Sequence, residues 1–138
     1  MLKYEGLFFD NETINKLLSR DFNKLQIVNR DLHVTMREFP KEENKELIGK
    51  KYQIKVIGYG TNNQNSGFLI ELPHNLLPYY KNLDKDGSII KPHITTSMSL
   101  GASAKNTKNL EFKLLENPFY VEAFYSNNER QEQLKLKK

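Results

Sequence analysis

Leu32-His33-Val34-Thr35-Met36 and Pro92-His93-Ile94-Thr95-Thr96 are the two stretches on which the reading of this chain turns. In an extended strand, residues two apart share a face. The first stretch therefore points Leu32, Val34 and Met36 to one side and His33 and Thr35 to the other. In the second stretch, Ile94 is set behind His93 and Thr95 in the same way. The chain holds three histidines among 138 residues. Random placement would seldom give two of them a threonine two positions on, each across an aliphatic residue.

The spacing suits phosphoryl chemistry. A threonine hydroxyl donates to a phosphate oxygen while the imidazole beside it moves a proton. Two such units facing one phosphorus centre supply a general base, a general acid and two holding groups. Histidine fits both proton roles because its ordinary pKa lies near neutrality. His33, Thr35, His93 and Thr95 are the candidate catalytic residues, with no metal and no cofactor expected. His74, in Leu72-Pro73-His74-Asn75, has no such partner and reads as a surface residue.

Working outward, short strands dominate the pattern. Residues 3–9 read as a strand, and Asp10-Asn11-Glu12-Thr13 as a helix start. There an acidic side chain meets the unpaired first-turn amides. Ile14, Leu17 and Leu18 recur at helical spacing up to about Arg20-Asp21. Residues 52–60 alternate as a strand, 61–67 form a polar hairpin loop, and 68–72 return. Prolines and Asp86-Gly87 mark 73–88 as loop with one helical turn. Residues 101–106 read as loop, and 107–115 and 119–125 as two closing strands. Short strands with one clear helix predict an α+β fold. The length predicts a single domain over 1–138, with the tail from about residue 127, ending Leu134-Lys135-Leu136-Lys137-Lys138, expected to fray.

Composition narrows the class. With no cysteine, thiolate catalysis, disulfides and cysteine zinc sites are excluded. No apolar run reaches the ~20 residues of a membrane span, and Glu5 and Asp10 interrupt the apolar start. The expectation is a soluble cytoplasmic protein, with a monomer favoured. A net charge of +4 and a pI of about 9.2 favour an anionic partner such as a nucleotide or RNA.

Leu32-His33-Val34-Thr35 and Lys91-Pro92-His93-Ile94-Thr95 resemble the paired motifs of the two-histidine (2H) phosphoesterase superfamily. That group includes LigT-like RNA phosphodiesterases, cyclic phosphodiesterases and phage nucleases that destroy cyclic oligonucleotide signals. Tyr4-Glu5-Gly6-Leu7-Phe8, Gly58-Tyr59-Gly60 with Asn65-Ser66-Gly67, and His93 to Ser99 with the later Thr107 are similar to its small RNA-repair-associated branch. The resemblance covers most of residues 3–112. It implies a bilobal α+β fold with pseudo-twofold symmetry, antiparallel sheets and few helices around a central cleft. It also implies a metal-independent phosphodiesterase acting on an RNA-like bond: a 2',3'-cyclic phosphate, or a cyclic or 2'-5'-linked oligonucleotide.

Four residues are candidates for substrate binding. Tyr4 lies on the strand that borders the cleft in that family, Arg37 shares the His33 face, Tyr59 stands between two glycines, and Lys105 follows the second motif. Each also has a plainer reading, as packing aromatic or solvated cation. Two rival functions stand beside hydrolysis. One is a module that sequesters an oligonucleotide without cutting it; the other is a structural domain in which the repeat is accidental.

Overall fold

A computed structural model describes residues 1–131. They hold strands β1 (Tyr4–Phe8), β2 (Ile27–Val28), β3 (His33–Glu38), β4 (Lys51–Thr61), β5 (Asn65–Glu71), β6 (His93–Met98) and β7 (Lys113–Asn127), and helix α1 (Asn11–Ser19). Two 3-10 helices, His74–Tyr79 and Ala104–Asn109, complete the elements. The fold is α+β, with one seven-stranded antiparallel sheet in the order β2-β6-β5-β4-β7-β1-β3.

Local chemistry explains the helix. Asp10 caps it by accepting from the Thr13 amide at 2.7 Å. Ile14, Leu17 and Leu18 are buried. They pack with Leu7, Phe9, Val34, Met36, Ile54, Val56, Phe68, Ile70 and Ile94 in one core. The aliphatic residue of each His-x-Thr unit, Val34 or Ile94, is thus fully buried in that core. Its own residue sequence turns the histidine and threonine outward.

The strand order also dictates curvature. β2 and β3 stand at opposite ends of the sheet, yet only residues 29–32 separate them. Five residue steps reach about 18 Å, whereas seven strands laid flat span about 29 Å. The sheet must roll, and the chain from Ile27 to Glu38 ties one end to the other. The Asn29 amide donates to Thr96 O at 2.9 Å, continuing the β2–β6 pairing towards β3.

Both motif strands meet their neighbours in one way. On β1, Gly6 faces Thr35 and Phe8 faces His33, with a bulge between Glu5 and Gly6. On β5, Gly67 faces Thr95 and Leu69 faces His93, with a bulge between Ser66 and Gly67. A Cβ on Gly6 would lie 1.9 Å from Val34 O, and one on Gly67 2.3 Å from Ile94 O. Each glycine follows a fully buried polar residue, Glu5 or Ser66. Glu5 accepts from Arg37 Nη2 at 2.8 Å, Tyr125 Oη at 2.8 Å and Asn127 Nδ2 at 3.2 Å. Ser66 donates to Asp21 Oδ2 at 2.9 Å and pairs with Thr96 and Ser97.

Some expectations are corrected. Asn65, Ser66 and Gly67 are not loop: they open β5 and are buried, where Asn65 Nδ2 donates to Thr107 Oγ1 and Ser66 Oγ to Asp21. Thr107 belongs to a 3-10 helix, started where Ser103 Oγ accepts from the Lys105 amide. Residues 113–127 form one strand. Pairing with β4 lapses between Leu114 and Phe119, so Pro118 falls where no ladder amide is needed. Residues 127–131 are packed rather than frayed. Asn127 and Gln131 are buried, and Arg130 Nη2 donates to Glu43 at 2.9 Å. The Leu134–Lys138 stretch lies outside the described residues.

Gly6→Ala and Gly67→Ala should each cost at least about 2 kcal/mol in urea unfolding, since the added methyl drives into backbone.

Candidate active site

The rolled sheet brings β3 and β6 to the two walls of one cavity of about 420 Å³. His33, Thr35, His93 and Thr95 all line it, with Tyr4 from β1 and Lys105 from the second 3-10 helix. This volume is ordinary for a small-molecule site. Lys3, Lys85, Lys105 and Lys108 are set against Glu38 and Asp84 in the lining. Four cations against two carboxylates make the site attractive to an anion. Lys108 Nζ is already held by Asp84 at 3.0 Å.

The two imidazoles are anchored alike. His33 Nδ1 lies 2.9 Å from Asp31 O, and His93 Nδ1 lies 2.8 Å from Lys91 O. A carbonyl oxygen only accepts, so each Nδ1 carries the hydrogen. The neutral form of each ring therefore keeps its lone pair on Nε2. One ring is ready to accept a proton there and, once protonated, to return it from the same atom.

The surroundings of the rings differ. Tyr4 stacks on His33 at 4.4 Å between ring centres, and Phe8 lies at 5.6 Å. The Tyr4 hydroxyl donates to Asp31 Oδ2 at 3.2 Å. Burial and the neighbouring Asp31 carboxylate push its phenol up to about 12. Tyr4 thus stays neutral and fixes the plane of His33. His93 is pulled below its ordinary 6.5, first by burial and then by the nearby His33, against the support of the Lys91 carbonyl. The surroundings thus favour the uncharged form of His93.

The threonines differ too. Thr95 Oγ1 donates to Thr107 Oγ1 at 2.8 Å, which also accepts from Asn65 Nδ2 at 3.0 Å. Asn29 Nδ2 donates to Thr95 O at 2.7 Å, and Asn82 Nδ2 to Thr35 O at 3.4 Å. Sequence reasoning missed Asn29, Asp31, Asn82 and Lys108. The polar Asn29-Arg30-Asp31 turn before the first motif and the three-residue spacing of Lys105 and Lys108 were the available signals.

Two candidates are not brought to the cavity. Arg37 is drawn to buried Glu5 and also donates to Glu42 O at 2.5 Å. Tyr59 donates to the Asp21 carboxylate, and burial with that bond pushes its phenol up to about 12. Each serves a buried carboxylate beneath its own half of the sheet. His74 is exposed. Among the described residues, no group of three or more His, Asp or Glu is placed to hold a metal ion. No described helix is long and apolar enough to cross a membrane.

Compared with known proteins, the chain matches no family model and no curated protein.

Imidazole ¹⁵N spectra recorded in alkaline solution should show His33 and His93 both as the Nδ1–H tautomer; a majority of Nε2–H in either ring would contradict the anchoring described here.

Proposed function

We propose that this chain is a metal-independent phosphodiesterase of the two-histidine type, acting on an RNA-like phosphodiester. The single observation that carries the reading is the convergence of His33, Thr35, His93 and Thr95 on one cavity, with both imidazoles anchored through Nδ1. The repeated glycine bulges opposite Thr35 and Thr95 support a bilobal, pseudo-twofold arrangement, in which each half delivers one motif.

The chemistry follows from the tautomers. A 2',3'-cyclic phosphate, or a bond next to a ribose hydroxyl, lies between the rings with its phosphoryl oxygens near Thr35, Thr95 and Lys105. His93, uncharged, takes the proton from the attacking water or hydroxyl at Nε2. The new P–O bond forms as the old one breaks. His33 gives the proton on its Nε2 to the leaving oxygen, and proton exchange with solvent resets both rings. Most of the acceleration comes from alignment and from cations facing the developing charge. Tyr4 and Thr107 act as positioning residues, through His33 and Thr95.

Cleavage of 2',3'-cyclic nucleotides or cyclic oligonucleotides in EDTA, followed by chromatography, tests the reading. His33→Ala and His93→Ala should each lower kcat at least about 100-fold. Survival of every substrate, or undiminished activity in the double variant, would overturn it. Tight oligonucleotide binding without product would favour a sequestering module.

The pH profile has a fixed sign. The base works only when unprotonated, so the acidic limb of kcat/KM should lie below 6.5, His93 being depressed from that value. Activity should also fall at higher pH as the acid loses its proton. His93→Ala should remove the acidic limb from whatever activity remains.

A further inference from the structure

Phe39 combines three properties. It is the only described non-glycine residue with positive φ, at 45°. A bulky side chain there is a conformational outlier. The residue is 63% exposed, so the strain is not offset by burial. It also lines the cavity that holds His33 and His93. The backbone is pinned: the Phe39 amide donates to Lys3 O at 2.8 Å, and Pro40 follows. Strain of this kind persists where the surroundings enforce it, and it gathers at ligand clamps.

The neighbouring lining shows what would cover the ring. Leu83, 55% exposed, and Ile90 extend an apolar wall within the same cavity. Lys3 and Lys85 stand there as well, and no ion pair engages either among the described residues. A flat apolar surface edged with ammonium groups, beside a phosphodiester site, is complementary to a planar base joined to a phosphate.

We propose that Phe39 is the face against which a nucleobase of the substrate stacks while the scissile phosphodiester lies between His33 and His93. The inference rests on the phosphodiesterase reading and adds a specificity residue that the paired motifs do not contain. Every base has a stacking face, so the contact selects nucleotides over base-free phosphodiesters without choosing sharply among bases.

Steady-state kinetics on a 2',3'-cyclic nucleotide and on base-free ribose 2,3-cyclic phosphate form the first test. Phe39→Ala should raise KM for the nucleotide roughly ten- to hundred-fold and leave the base-free substrate unchanged. Phe39→Trp should restore the nucleotide KM. Equal effects on both substrates, or none on the nucleotide, would overturn the proposal.

Binding of a phosphorothioate oligonucleotide carrying 2-aminopurine gives a readout independent of turnover. Stacking should quench its fluorescence with the native protein and not with Phe39→Ala. If that pattern holds but nothing is cleaved, hydrolysis fails and stacking stands. If substrates are cleaved without Phe39-dependent quenching, stacking alone fails. Phe39→Gly should melt at a higher temperature than the native chain, because it releases the strained φ. A lower melting temperature would show that the ring packs the free protein, and would also overturn the idea.

Discussion

Two close approaches of backbone to backbone govern this molecule. At Gly6 and at Gly67 a neighbouring strand comes so near a motif strand that no Cβ fits between them. Each approach sits at a bulge directly opposite the motif threonine. A bulge adds local twist and re-aims the side chains beside it. Here it does so at both ends of a sheet that must roll. The buried polar residue before each glycine ties the bulge down, with Glu5 gripping Arg37, Tyr125 and Asn127, and Ser66 gripping Asp21. The curvature, the facing of β3 and β6, and the cavity between them follow from these two seams.

The two motif strands are held alike and surrounded differently. The carbonyl two residues back fixes the tautomer of each imidazole, a constraint written into the strand geometry itself. The difference comes from outside the motif. Tyr4 and Phe8 flank His33, whereas burial favours the uncharged form of His93. Thr95 is bound to Thr107, and Thr107 lies on a 3-10 helix whose Lys108 also holds Asp84. Two strands built on one local pattern thus carry imidazoles in unlike surroundings.

Much of this was legible in the chain. The alternation of Leu32 to Met36 assigned faces correctly because Val34 and Ile94 are aliphatic and the core takes them. The helix at Asp10 was legible because capping is local. The errors share a cause. Asn65 and Ser66 look like loop residues, and only a distant partner, Thr107 or Asp21, makes them strand. Arg37 points along the motif face, but a buried carboxylate on the next strand claims it. β2 is two residues long, too short for any periodicity, yet it ties the sheet's ends. Long-range pairing decides all three, and local pattern does not encode it.

The passage of the chain from β2 directly into β3 also bears on how the protein meets its own kind. A sheet with so few helices ordinarily leaves strand edges open to neighbouring molecules. Here the strand at one end, β2, is only two residues long. At the other, the Lys81 amide donates to Met36 O at 2.8 Å and Asn82 reaches Thr35 O. The rolled seam that encloses the cavity leaves little ladder exposed at either end. The cavity and the shortness of the exposed ladder then come from the same bend.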